Sequence, residues 1–80
     1  MKFPSKETVE ALCRRFPKGC RVELVKMDDP QAPPIGTQGT VRGVDDAGSI
    51  MVAWDNGSGL SVAYGEDVCR VIQQEGLHEQ

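Results

Sequence analysis

The stretch GTVRGVDDAGSIMVAWDNGSGLSVAY, residues 39–64, defines the architecture, because its pattern predicts three short strands separated by two turns. Ile50, Val52 and Trp54 alternate with Met51, Ala53 and Asp55, which is the period of a strand with one buried face. Asn56-Gly57 predicts a tight hairpin with a two-residue type I′ turn. In the strand before these, Gly43 predicts a bulge or a sharp bend.

Two more strands are predicted outside this stretch. Alternating apolar residues indicate a first strand over 20–24, and a fifth strand over 69–72 follows a tight helical turn at 65–68. Between the first two strands, residues 27–36 include three prolines, which lack the N–H that a central strand needs. This segment is therefore predicted to be a long loop.

The N-terminal segment 6–15 predicts an amphipathic helix. Ser5 is a suitable N-cap, and Pro17 ends the helix. An apolar stripe at helical spacing is formed by Val9, Leu12, Cys13 and Phe16. A helix of this length is unstable alone in water, so its stripe must pack against another surface.

The order of these elements is that of an SH3-like barrel: a long loop after the first strand, hairpins in the middle and one turn before the last strand. We predict a mainly β fold, a small five-stranded SH3-like barrel with one N-terminal amphipathic α-helix. The helical segment is expected to span 1–17 and pack on the barrel. The barrel is expected to span 18–72, and a flexible tail 73–80.

Composition restricts the chain to one small domain. Its 80 residues include only four aromatic side chains, so the core must be mostly aliphatic and leaves little room for a ligand cavity. No apolar run is long enough for a membrane span, and the N-terminus lacks the apolar stretch of a signal peptide. Three cysteines without paired spacing do not form a secreted disulfide framework. A cytoplasmic protein without a cofactor is expected.

The formal charge of -3 conceals an asymmetry between the two parts of the chain. Residues 1–26 contain seven basic and three acidic side chains, whereas residues 27–80 contain two basic and nine acidic ones. The predicted helix is therefore basic and the predicted barrel acidic. The electrostatic field of such charged regions affects association with partners more than it affects the fold.

Several segments resemble one known family, namely 36–41, 43–48, 52–58 and the proline-rich 27–34. The family is catalogued as domain of unknown function 4314, small proteins frequent on phages and mobile elements of Gram-positive bacteria. The resemblance covers about 16–72, with the helix as a more variable addition. It implies the fold and a bacterial, mobile-element origin, and it implies no activity.

For some residues a binding site and a purely structural role are both compatible with the sequence. Trp54 and Tyr64, with Asp55 nearby, could form part of an aromatic cage for a methylated cation, but such cages need more aromatic walls. The favoured interpretation places Trp54 in the core. A zinc site is the second possibility, and its ligands would be Cys13, Cys20, Cys69 and His78.

The spacing of these ligands does not support zinc, because no C-x2-C pair exists. Cys20 and Cys69 are expected to be small buried side chains and neighbours in the first and last strands. A cation site at Asp45, Asp46 and Asp55 lacks the spacing of a calcium loop. Catalysis is not expected, because the single histidine is in the tail and no phosphate-binding glycine loop follows a strand.

The leading functional hypothesis is a non-catalytic module that binds a protein or peptide with a basic surface. The residues expected to contact the partner are Asp28, Asp29, Pro30, Pro33, Asp55 and Tyr64. The alternative is nucleic-acid binding through the basic helix and its flank, with phosphate contacts from Lys6, Arg14, Arg15, Lys18 and Arg21. A second alternative is an inhibitor of a host or defence protein. Either a monomer or a homodimer formed by the helix stripe is compatible with the sequence.

Overall fold

The structure, a computed structural model, describes residues 4–73 and consists of one helix and one five-stranded antiparallel sheet. The strands are ordered β4-β3-β2-β1-β5 across the sheet. The elements in chain order are α1 (Lys6–Arg15), β1 (Arg21–Lys26), β2 (Gln38–Val44), β3 (Ser49–Trp54), β4 (Val62–Ala63) and β5 (Val68–Gln73). The mainly β fold with an N-terminal helix is thus confirmed.

The sheet is strongly curled, as its two edge strands show. In a flat sheet, β4 and β5 would lie about 19 Å apart, at four strand spacings. Only residues 64–67 connect them, and these form a tight turn in which the Ala63 carbonyl accepts hydrogen bonds from Glu66 and Asp67. In the described residues no ladder joins β4 to β5, so the sheet is open and the predicted closure into a barrel is not shown.

One apolar core fills the concave side of the sheet and extends to the helix. Trp54 is 3% exposed, and its indole N–H donates to the Leu60 carbonyl at 2.8 Å, so its one polar atom is satisfied. The placement of Trp54 in the core is therefore confirmed. The buried core consists of Leu12, Phe16, Cys20, Val22, Leu24, Val41, Ile50, Val52, Trp54, Val62 and Cys69.

Helix α1 begins and ends where the sequence predicts. Ser5 is the N-cap, and its hydroxyl accepts the backbone N–H of Thr8 at 3.1 Å. At the other end, the Phe16 N–H donates to the Leu12 carbonyl at 2.8 Å. Leu12 and Phe16 are buried in the core of the same chain, so neither is free to pack on a second copy. The predicted stripe is wrong for Cys13, which is exposed.

The bulge predicted at Gly43 is confirmed, because the β2–β3 register shifts between Val41 and Gly43. The predicted two-residue type I′ turn is wrong. Such a turn needs positive φ at both Asn56 and Gly57, and within the described part of the chain only glycines have positive φ. The loop has three residues instead, 55–57, because the Trp54 N–H donates to the Ser58 carbonyl. The Trp54 carbonyl accepts the Gly57 N–H, and Gly57 is left-handed with φ 96°.

The turn predicted at 65–68 is present but is not a helical turn. Gly65 has φ 87°, a left-handed conformation that a right-handed helix excludes. The predicted flexible tail falls almost entirely on residues outside the described range, as does His78. No helix within 4–73 is long and apolar enough to cross a membrane.

Candidate partner-binding site

The loop between β1 and β2 is anchored to the sheet by backbone hydrogen bonds. The Leu24 carbonyl accepts the Gly36 N–H at 2.9 Å, and the Leu24 N–H donates to the Thr37 carbonyl at 2.9 Å. Inside the loop, the Asp29 carboxylate accepts the Gln31 N–H at 2.8 Å, which is an Asx turn. The loop is therefore ordered by its own backbone and by one side chain.

Three of the four loop residues predicted to contact a partner are accessible. Asp28, Asp29 and Pro30 are exposed, whereas Pro33 is buried. Pro33 therefore presents no surface to a partner, and its prediction as a contact residue is wrong. Its missing N–H needs no hydrogen-bond acceptor, which makes proline compatible with a buried loop position.

Asp55 lies outside this loop and forms an ion pair with Arg21. Arg21 donates to both carboxylate oxygens of Asp55 and also to the Thr40 hydroxyl at 2.9 Å. The hydrogen bond from Arg21 lowers the pKa of Asp55, and the same bond raises the pKa of Arg21. The structure thus pairs one residue of the protein-binding hypothesis with one residue of the nucleic-acid hypothesis. Both charges are therefore already paired within the domain.

The aromatic cage is excluded by the positions of its two members. Trp54 is buried, whereas Tyr64 is 54% exposed at the start of the turn between β4 and β5. Tyr64 lies instead beside Gly48, close to Pro4. It is accessible to a partner, but at the turn from β4 to β5 and not in the loop that carries Asp28 and Asp29.

An apolar patch formed by Val25, Ile35 and Val68 adjoins the acidic loop. The exposed fractions of these side chains are 43%, 62% and 46%. Val68 is paired with Lys26 in the β1–β5 ladder, and the register shift between Leu24 and Lys26 leaves Val25 as the bulged residue. Val25 is exposed in phase with Arg21 and Glu23 on β1, and the patch escapes local patterns because its three members come from β1, the loop and β5.

The basic residues form a surface at the C-terminal end of α1. Arg14, Arg15 and Lys18 are exposed, and the Arg15 guanidinium lies 5.3 Å from the centre of the Phe16 ring. The Gly19 N–H donates to the Val41 carbonyl, which brings the neighbours of these residues, Lys18 and Arg42, to the same region.

This grouping changes the predicted nucleic-acid surface in three ways. Arg42 was missed, because it is distant in sequence from the helix. Arg21 leaves the set, because Asp55 neutralises it. Lys6 is exposed but lies at the opposite end of the ten-residue helix, about 13 Å from Arg15 along the axis.

Three of the candidate metal ligands, Cys20, Cys69 and Asp45, are buried or hydrogen-bonded within the fold. Burial raises the pKa of the Cys69 thiol to about 11 and also raises the pKa of Cys20. Both thiols are free, and Cys69 lies opposite Leu24 and not opposite Cys20. Asp45 accepts the backbone N–H of Ser49 in its turn at 2.8 Å. Within residues 4–73 no group of three or more potential metal ligands exists.

Comparison with known proteins gives one match. The family described as Domain of unknown function (DUF4314) matches residues 5–72, which include α1 and all but the last residue of β5. The helix is therefore within the matched region and is not an addition outside it, as the resemblance over 16–72 implied. No curated protein and no solved structure matches the chain. Because the match covers most of its length, the chain belongs to the DUF4314 family.

Proposed function

We propose that this protein is a small non-catalytic module that binds a basic protein or peptide surface through the loop 27–36. One observation carries the proposal: the carboxylates of Asp28 and Asp29 are exposed and form no ion pair within the described part of the chain. By contrast, Glu23 and Asp55 are neutralised by arginines. The loop therefore offers negative charge that no neighbouring side chain uses.

The conformation of the loop supports this proposal. The Asx turn fixes the Asp29 carboxylate, and the backbone bonds of Gly36 and Leu24 anchor the loop that carries it and Asp28. A partner that binds an ordered loop loses less conformational entropy than one that must order a flexible segment. The net charge of -3 also favours the approach of basic partners over acidic ones.

The proposal extends to the setting in which the module acts. A bacterial or mobile-element protein of this size fits an accessory subunit, or an inhibitor that covers a basic surface on a host or defence protein. Its three free thiols fit a reducing compartment, so we place it in the cytoplasm. The pKa shifts of Cys20, Cys69 and the Arg21–Asp55 pair follow from burial and pairing, and none of them requires a catalytic role.

The test is selection of peptides from a random 12-residue library displayed on phage. The proposal predicts enrichment of Lys and Arg, and binding of the selected peptides that weakens as salt is added. In the variant D28N/D29N, the amide oxygen introduced at position 29 still accepts the Gln31 N–H, so only charge is removed. We expect affinity to fall about tenfold, a loss that two exposed charge pairs can supply.

The matched control is D46N/E66Q, which removes the same number of charges from two other exposed positions. It should bind the selected peptides like the wild type, apart from a small general effect of net charge. Equal losses in the two double variants would contradict the loop as the site. Selection of peptides without basic residues would contradict the proposed function itself.

Nucleic-acid binding is the second candidate, and the position of Arg42 favours it. Lys18 and Arg42 add to Arg14 and Arg15, which gives four exposed basic side chains at one end of α1. If this surface binds phosphates, a labelled duplex or single strand should shift in a low-salt gel, and R14E/R15E should abolish the shift. K6E/K26E is the control with equal charge change. The absence of a shift at low salt would reject this candidate.

A further inference from the structure

We infer that the ligand of the proposed loop site carries an aliphatic or aromatic side chain close in sequence to its basic residue, and that this side chain docks on the apolar patch of Val25, Ile35 and Val68. The inference rests on the proposed function and specifies its ligand: an extended, basic and apolar peptide segment. It excludes a ligand recognised by charge alone.

The backbone places the patch beside the acidic loop. The loop 27–36 begins directly after β1, which carries Val25, and it returns to β1 where the Gly36 N–H binds the Leu24 carbonyl. Ile35 is thus held next to the segment of β1 that contains Val25. On the other side of β1, Val68 pairs with Lys26 at the start of β5. One strand therefore connects the three apolar side chains, and the loop that follows it carries the two carboxylates.

The exposure of these three side chains calls for an explanation beyond chance. Single exposed aliphatic residues are ordinary on protein surfaces, but neighbouring ones mark interaction sites. All three are β-branched, so their rotamers are already restricted and little entropy is lost when a partner covers them. The patch also lies at an edge of the sheet, since β5 has a ladder partner only on its β1 side in the described residues.

Charge decides between a peptide and a second copy as the occupant. In a symmetric dimer centred on the patch, the acidic loops of both copies would approach each other, because an isologous interface applies the same surface twice. Like charges would then face each other at Asp28 and Asp29. A basic segment instead places opposite charge there. The complementarity of charge therefore favours a basic ligand.

The spacing within the ligand follows from the chain that links the two parts of the site. Asp28 and Asp29 follow Val25 by three and four residues, and the exposed Lys26 stands between them. Three to four residues of extended chain span at most about 10–14 Å. The ligand therefore needs its apolar residue within about four positions of its Lys or Arg. When the apolar residue contacts Val25, the chain of the ligand must extend beyond Lys26 for its basic residue to reach Asp28 or Asp29.

The experiment uses the peptides selected from the phage library on the full-length protein. We expect the enriched sequences to contain Leu, Ile, Val, Phe or Tyr within four positions of Lys or Arg. Replacing that apolar residue by Ser should weaken binding about tenfold in fluorescence polarisation. On the protein, V25T/V68T keeps β-branched side chains on both strands and should cause a similar loss.

Two controls separate the patch from general effects on the fold. M51T changes another exposed apolar residue, on β3 and two strands away from β1, and should leave binding unchanged. I35T changes only the residue of the patch that lies in the loop, outside every strand. It therefore remains informative if the substitutions in β1 and β5 unfold V25T/V68T. We expect I35T to weaken binding several-fold.

The outcomes distinguish the failure of the inference from that of the proposed function. If selected peptides are basic without an apolar partner, and I35T and V25T/V68T bind them like the wild type, the patch is not used. The acidic loop then still stands through the loss in D28N/D29N. If peptides bind through the patch but D28N/D29N has no effect, the proposed loop recognition fails. No enrichment at all contradicts both.

Discussion

Asp55 and Arg21 form the ion pair that connects β1 to the loop after β3, and Thr40 on β2 joins them through Arg21. The hydrogen bond from Arg21 lowers the pKa of Asp55 below its ordinary value of 3.8. A carboxylate with a lowered folded-state pKa stabilises the fold above its unfolded pKa and loses this effect as pH falls through the folded value. We therefore expect D55N to be less stable than the wild type at neutral pH and equal to it in acid.

Urea unfolding of both proteins over a series of pH values measures this difference. D46N is the control, because Asp46 is exposed and forms no ion pair in the described part of the chain, so its stability should follow the wild type throughout. Added salt should reduce the neutral-pH difference, since the pair is partly exposed. A deficit in D55N that persists unchanged in acid would show that the lost contact is not ionic.

Gly39 is the residue at which the sheet tolerates no side chain. A Cβ there would lie 2.6 Å from Val52 Cγ1 and 2.8 Å from the Trp54 ring. Gly39→Ala should therefore destabilise the domain by about 1–3 kcal/mol, the usual effect of overpacking. Gly59→Ala is the matched control, because nothing lies within 4 Å of its Cβ position. Chemical unfolding compares the two, and equal stabilities would contradict the packing at Gly39.

Helix α1 packs through two side chains that the structure places in the core, and a third side chain on its predicted stripe points elsewhere. Leu12→Ala should cost about 2–5 kcal/mol, because it opens a cavity between the helix and the sheet. Cys13→Ala, one residue further along the exposed side, should change stability by less than about 0.5 kcal/mol. Urea unfolding of both variants checks this contrast. A small effect of Leu12→Ala would show that the helix is not part of the cooperative unit.

The elements themselves could be predicted from the sequence because local patterns determine them. Ser5 and Pro17 define α1, and the period of two defines β1 and β3. The details that failed depend on geometry that no local pattern carries. Asn56-Gly57 favours type I′, but the backbone here takes the three-residue alternative. Whether a curled sheet closes is decided by backbone hydrogen bonds between its edges, β4 and β5, and no local pattern specifies these bonds.

The candidate site could be predicted only in part for the same reason. Asp28 and Asp29 stand out in sequence because they lie in a proline-rich loop, and both are exposed. Nothing local to Asp55 reveals that Arg21, 34 positions away, neutralises it. The grouping of Val25 with Val68 depends on the pairing of β1 with β5, which lie more than 40 positions apart in the chain. Contacts between distant segments therefore decide which charges and which apolar side chains remain available.

Across the domain, unpaired acidic and unpaired basic side chains lie on separate surfaces, and other charged side chains form ion pairs on the sheet. The acidic loop after β1 and the basic end of α1 are separate surfaces, and the Arg21–Asp55 and Arg70–Glu23 pairs lie on the outer face of the sheet. Each pair neutralises one basic and one acidic side chain between the two surfaces. The remaining unpaired charges are therefore separated by sign more clearly than the sequence indicates. A single small domain thus carries one acidic and one basic surface.

The three cysteines report whether this domain opens as one unit. Cys13 is exposed, whereas Cys20 precedes β1 and Cys69 lies in β5, both within the core. Since the thiolate is the reactive form, burial and the raised pKa of Cys69, about 11, slow its reaction at neutral pH. With Ellman's reagent, native protein should lose one thiol rapidly and the other two together, at the rate of global unfolding.

Cys13→Ser should abolish the rapid phase of this reaction, whereas in urea both remaining thiols should react rapidly. If Cys69 reacted well ahead of Cys20, the β5 edge would open separately from the core.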